Sequence, residues 1–195
     1  AHHGIDTPKL DAEILLARIL DKPRSYLMTW PENVPSKEQS AQFHRWTARR
    51  AASEPVAYIL EDQEFYGHLF QVNPAVLIPR PETEHLVEKA LEWCRAGSLA
   101  APKVLDLCTG SGCVGLTLAL ELPQSKVTLS DLSSEALAMA TRNASVHGLE
   151  NRVRLLEGDL FQPLGPGECF DLILANPPYV EESFRAEMQK DVLDY

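Results

Sequence analysis

The chain is short of positive charge. Eighteen Lys and Arg against 28 Asp and Glu leave a formal net charge of -10 over 195 residues. That balance disfavours tight binding to bare nucleic acid, where phosphate neutralisation by Lys and Arg dominates affinity. Cysteine is sparse too. The four present, Cys94, Cys108, Cys113 and Cys169, show neither C-x-x-C spacing nor a matching His pair, so neither zinc nor a disulfide framework is expected. No apolar run approaches the roughly 20 residues a membrane-spanning helix needs. The start, Ala1-His2-His3-Gly4, lacks a basic region followed by an apolar stretch, so no secretory signal is expected; His2 and His3 are not read as metal ligands. These absences point to a cytoplasmic globular protein with reduced thiols, without metal or membrane. Hydrophobic content of 45% and charged content of 24% suit one good core with a small appendage.

The first fifty or so residues read as helical. Asp6-Thr7-Pro8 offers a cap followed by proline at the first helical position, and Leu10, Ile14, Ala17 and Leu20 recur at helical spacing. Ser36 to Gln39 fits a capping box opening a second helix through Phe43, Trp46 and Thr47 to about Ala52. Between 64 and 78, aromatic and β-branched residues around Gly67-His68 and Asn73-Pro74 suggest a short β-hairpin or two extended pieces linking domains. Pro79-Arg80-Pro81 leads rigidly into a helix with Leu86, Val87, Ala90 and Leu91 on its buried face. Strand and helix then alternate: strand 103–107, helix 112–121, strand 126–131, helix 133–146, strand 152–157, strand 170–175. Ser133 is a plausible N-cap of its helix and Gly148 ends it.

The alternation predicts an α/β fold, a Rossmann-like doubly wound parallel sheet. The expected division is a helical domain over 1–53, a hairpin linker over 54–79 and a sheet domain from 80 to 195. Strand 170–175 (FDLILA) reads as buried. A parallel sheet that ended on it would expose an apolar edge, so the sheet is expected to lack its C-terminal strands in this chain.

Ligands in open α/β sheets bind at the carboxyl ends of the strands, and three such ends carry chemistry. Asp106-Leu-Cys108-Thr109-Gly110-Ser111-Gly112 runs from strand through a glycine turn into a helix, giving close backbone approach and free N–H groups. Asp131 ends the next strand, where an acid takes ribose hydroxyls in dinucleotide folds. Asp159, after the third strand, is placed to accept from an exocyclic amine. Asn176-Pro177-Pro178-Tyr179 follows the fourth strand. Its Asn supplies a carbonyl acceptor, its prolines fix φ and hold the Asn176 and Pro177 carbonyls outward, and Tyr179 adds a flat face. Together these suit a planar neutral amide or amine.

Ile78-Pro-Arg-Pro-Glu-Thr-Glu84, Asp106 to Gly112, Asp131 and Asn176 to Tyr179, in that order, resemble the class I S-adenosylmethionine-dependent methyltransferases. The span from about Glu54 to Tyr179 is similar to the HemK-type glutamine N5-methyltransferases that modify peptide chain release factors. The resemblance implies S-adenosyl-L-methionine as cofactor, with S-adenosyl-L-homocysteine as product. It implies that Thr109 to Gly112 contact the methionine portion beside Asp106 and Cys108, that Asp131 holds the ribose, and that Asp159 and Leu160 border the adenine. Asn176, adjoining cofactor and substrate, and the Pro177 carbonyl would bind the substrate amide, with Pro178 and Tyr179 beside it; Asn176, Pro177 and Tyr179 form the catalytic set. Arg80, Glu82 and Glu84 are candidates for the rim, although the glutamates equally suit charging a helix start. The implied partner is a release factor, met by a monomer through its helical domain, with no direct nucleic-acid contact.

Many methyltransferases carry glycine where Cys108 stands, and a cysteine predicts negative φ. Cys113 is expected in the core, and His44, His68, His85 and His147 as scattered surface or packing residues. Two other readings stay open: an adenine-N6 methyltransferase acting on DNA or RNA, which shares the Asn-Pro-Pro-Tyr element, and a non-catalytic cofactor-binding module.

Overall fold

The computed structural model of the protein describes residues 5–177; Pro178 and Tyr179 lie outside the described residues. The chain divides into two units, one running to Leu60 and the other beginning at Glu61.

The first unit holds helices α1 (Pro8–Leu20), α2 (Arg24–Thr29), α3 (Lys37–Ala51) and α4 (Val56–Leu60). Thr7 precedes α1 without capping it; its hydroxyl donates to Asp11 Oδ1 at 3.0 Å instead. The other oxygen of Asp11 takes Arg50 Nε at 2.7 Å. This pair ties α1 to α3 and neutralises a buried carboxylate, which would be costly alone. Ser36 and Gln39 close a capping box at the start of α3. Neither α2 nor α4 is foreseen by the sequence reading: at 6 and 5 residues they are too short to show a periodic apolar stripe.

In the second unit, β1 (Asp62–Phe65) and β2 (His68–Gln71) pair antiparallel. The two turn residues, Tyr66 and Gly67, both have positive φ (52° and 77°), the geometry that matches hairpin twist. Glu84, on the first turn of α5 (Pro81–Ala96), accepts the Tyr66 N–H at 3.0 Å. Its role in the structure is to pin that turn.

There follow β3 (Lys103–Leu107), α6 (Cys113–Glu121), β4 (Lys126–Asp131), α7 (Ser134–Val146), β5 (Val153–Glu157) and β6 (Leu172–Ala175). The strands form one parallel sheet in the order β5-β4-β3-β6, the doubly wound Rossmann-like arrangement that the alternation predicts. Ser133 caps α7 through Ala136 N, and Gly148 follows it at φ 66°. Helix α6 is apolar on nearly every face and sits deep in the core with Val104, Val127 and Leu129 and with Phe65 and Phe70 of the hairpin. Gly115 allows this depth: a Cβ there would lie 2.3 Å from Leu129 Cδ2 and 3.0 Å from Asp106 Oδ2. At the far end of α6, Arg152 Nη2 donates to the Ala119 and Leu122 carbonyls at 2.6 and 3.0 Å, satisfying groups a helix terminus leaves open.

Strand β6 departs from the expectation of burial. Of its residues only Leu174 is buried, and Ile173 is 50% exposed. Among the described residues β6 pairs with β3 alone, so one of its edges carries no ladder there.

Candidate functional site

Strands β3 and β6 end side by side, with Leu107 opposite Ala175. The residues that follow, Cys108 and Asn176, therefore leave the sheet together. They line one small cavity with Asp106, Thr109, Gly110 and Ser111, and its other wall is Leu77 to Arg80 and Thr83. The glycine turn and the Asn-Pro start are thus brought to one place, at the strand ends where the order of connection switches sides.

The loop is held from below and from the side. Asp106, 2% exposed, accepts the Thr109 hydroxyl at 2.6 Å and the Gly115 N–H at 3.0 Å through one oxygen. Burial pushes its carboxyl up to about 6, against the lowering effect of those two bonds and helped by nearby Asp131. Asp131 accepts Gly110 N through Oδ2 at 2.8 Å and Ser133 N through Oδ1 at 3.0 Å. Its carboxylate thus fixes the glycine loop and the entry to α7, and retains lone pairs for further donors. Gly110 has φ 55° with open space where a side chain would stand, so a ligand can approach the backbone there. Gly112, at φ 82°, lies where α6 meets α7: a Cβ would be 2.9 Å from Leu116 and 3.2 Å from Ala140.

Cys108 overturns the expected negative φ; it has φ 54°. The chain must reverse at the strand end within one residue so that Thr109 N can reach the Ser130 carbonyl at 3.0 Å. The left-handed conformation this demands costs a non-glycine residue on the order of 1–2 kcal/mol. Burial holds the Cys108 thiol above its usual range, with Asp131, Asp106 and Asp159 adding to the effect, so it stays neutral. Cys113 is a core residue, its thiol pushed up to about 12 by burial.

Asp159 and Leu160 are exposed beyond the end of β5, Leu160 with φ 45°. Leu132, missed in the sequence, is 71% exposed directly after β4. Leu132 and Leu160 thus stand beyond the ends of adjacent strands, beside Asp131 and Asp159, as apolar surface next to acceptors. An apolar residue where a turn residue is usual was the available signal.

Asn176 is half-buried. Its Nδ2 donates to Thr83 Oγ1 at 3.4 Å, a long hydrogen bond that uses one of the two amide hydrogens. Its Oδ1 has no donor among the described residues. Pro177 is exposed beside it; Pro178 and Tyr179 are outside the described residues. Arg80 lines the cavity. The histidines are less scattered than expected: the His68 and His147 rings lie 5.9 Å apart, and His147 Nε2 sits 3.1 Å from the Leu69 carbonyl. Burial lowers the His147 pKa, consistent with a packing residue. Among the described residues no group of three or more His, Cys, Asp and Glu could hold a metal, and no helix is long and apolar enough to cross a membrane.

Residues 1–60 match the family model described as PrmC N-terminal domain, and residues 86–193 match the methyltransferase small domain. The chain is 47% identical over 189 residues to a release factor glutamine methyltransferase of Koribacter versatilis, covering 97% of this chain and 66% of that one. It is 45% identical over 192 residues to the release factor glutamine methyltransferase of Leptospira interrogans, covering 98% and 67%. The chain therefore spans about two thirds of the length of these curated relatives. Among solved structures it is similar to the ribosomal protein L11 methylase of Lactobacillus delbrueckii, at 26% identity, TM-score 0.43, covering 59% of this chain and 56% of that one.

Proposed function

The chain belongs to the family of release factor glutamine methyltransferases, and on that premise we propose that the protein transfers a methyl group from S-adenosyl-L-methionine to the side-chain amide nitrogen of a glutamine in a peptide chain release factor. One observation supports the reading above others. The glycine loop 108–111 and Asn176 border the same cavity at the ends of neighbouring parallel strands. A cofactor on the loop would then lie against a substrate amide held by Asn176.

The residues present fit that cofactor. Gly110 leaves its backbone approachable; Asp131 keeps acceptor capacity for the ribose hydroxyls; Leu132 and Leu160 offer apolar faces, with Asp159 beside Leu160 to accept from the adenine amine. When bound, the cofactor supplies a sulfonium-activated methyl group. An amide nitrogen is a poor nucleophile because its lone pair is delocalised into the carbonyl, so the protein's task is alignment. The Asn176 Oδ1, which has no donor among the described residues, accepts one N–H of the substrate amide, and the Pro177 carbonyl accepts the other. Two acceptors fix the nitrogen and favour the positive charge that grows on it, and alignment of reactants is worth several kcal/mol, up to about 7–11 in well-ordered cases. The site is expected in the cytoplasm, where release factors work, and in a monomer.

The test is methyl transfer from labelled S-adenosyl-L-methionine by the full-length protein. The acceptors are a release factor, the same factor with its Gly-Gly-Gln glutamine changed to alanine, and an adenine-containing DNA duplex. Label on the release factor alone, lost in the alanine control, is expected. Label on the DNA alone would overturn the substrate and keep the cofactor. Asn176→Ala is expected to abolish transfer with cofactor affinity largely intact; retained activity would refute its role.

A further inference from the structure

Asn143 lies in α7, is fully buried, and faces two different backbones. Its Oδ1 accepts Gln71 N at 2.7 Å, and its Nδ2 donates to Gln71 O at 3.0 Å and to Ser111 O at 2.8 Å. Both amide hydrogens and one acceptor site are thus used. With Gln71 the side chain makes the pair of bonds that a neighbouring strand would make, so it extends β2 by one residue's worth of ladder. With Ser111 it grips the middle of the glycine loop.

These two partners lead to the two walls of the cavity. Ser111 is itself in the loop wall, and the chain running on from Gln71 forms the opposite wall, Leu77 to Arg80, six residues later. We propose that Asn143 is a positioning residue that fixes the spacing between the glycine loop and the 77–80 wall, and so the width of the crevice. This inference rests on the reading of that crevice as the methyl-transfer site. Only an amide meets the demand. A carboxylate of the same shape would set an oxygen against two carbonyl oxygens, and an apolar side chain would leave the buried Ser111 carbonyl and the part-buried Gln71 N–H and carbonyl without these partners, a costly outcome.

A buried asparagine that merely stabilised the core would give variants that lose stability everywhere and bind the cofactor normally once folded. Positioning gives a different signature, and Asn143→Asp separates the two. Buried against two carbonyls, the new carboxyl is expected to titrate well above the ordinary carboxylate range. Once protonated it recovers one donor, so its defect should shrink as pH falls.

The experiment uses the full-length protein, parent and N143D, at pH 8 and pH 6. It measures S-adenosyl-L-homocysteine affinity by titration and ligand-free amide exchange by peptide mapping. At pH 8, N143D should bind S-adenosyl-L-homocysteine about 10-fold more weakly than the parent, the scale of one buried group losing its partner. Exchange should quicken in 69–80 and 108–113 together and stay unchanged in β4. At pH 6 both differences should narrow, while the parent changes little. Parent-like affinity and exchange at pH 8 would overturn the proposal, as would faster exchange spread evenly over β3, β4 and α7. Should N143D not fold at pH 8, Asn143→Ser, which keeps one donor and admits a water, gives the same decision from its exchange map. If the parent itself fails to bind S-adenosyl-L-homocysteine, the methyltransferase reading fails, and the exchange comparison still decides whether Asn143 couples the two walls.

Discussion

Asp106 Oδ2 and Thr109 Oγ1 lie 2.6 Å apart beneath the glycine loop, in a place 2% exposed. The carboxyl that anchors the loop is therefore one whose proton the fold tends to keep, at a pKa of about 6 rather than the usual 3.8. A carboxyl raised on folding binds its proton more tightly in the native state, so stability is lost as pH rises from about 4 through 6 and stays lower above. For a shift of this size the loss is on the order of 3 kcal/mol. Asp106→Asn removes the titration. The Tm difference between pH 4.5 and pH 7.5 is expected to be less negative in D106N than in the parent by several degrees; equal slopes would exclude Asp106 as its source.

Gly115→Ala tests whether closeness outweighs helix propensity. In an exposed helix the change would stabilise by about 1 kcal/mol. Here the added methyl meets Leu129 Cδ2 at 2.3 Å, and overpacking typically costs about 1–3 kcal/mol. Urea denaturation is expected to show G115A destabilised; a stabilised variant would mean that α6 can move off the sheet freely.

Thr83→Val removes the acceptor that orients the Asn176 amide and keeps the side chain's shape. Steady-state assays on the release factor are expected to show kcat reduced several-fold, with affinity for S-adenosyl-L-homocysteine unchanged. A loss confined to the cofactor would mean that Thr83 serves the loop and not Asn176.

Cys108→Gly should relieve the strain of φ 54°. Against that gain stands the larger entropy of glycine in the unfolded chain, about 0.5–1 kcal/mol. The net expectation is a stability gain of up to about 1 kcal/mol in C108G by chemical denaturation. A clear loss would mean that packing of the Cys108 side chain outweighs its strain.

Much of the sheet was legible because its signals are local. The runs at 103–107 and 126–131 are short and bounded by turns, and both strands form with those limits. The loop, Asp131 and Asn176 could be placed because strand ends follow from strands. Three contributions could not be read this way. Asn143 acts on a residue 72 positions away, Thr83 on one 93 positions away, and Gly115 through a leucine on a neighbouring strand. None of these pairings leaves a periodic trace. Cys108 failed for a different reason: residue preference for φ is weaker than the demand of a chain that must turn at once to join the next strand's edge.

The strand order β5-β4-β3-β6 has a consequence for how such a site can be lost. After β3 the connections step outward through β4 to β5, and the chain then returns to the other side of β3 as β6. The loop after β3 leads across to β4 while β6 lies on the opposite side of β3, so the crevice at the ends of β3 and β6 is a product of connectivity. Single substitutions along its lining can alter what it holds and how tightly. To erase it, the polypeptide would have to be threaded along another route.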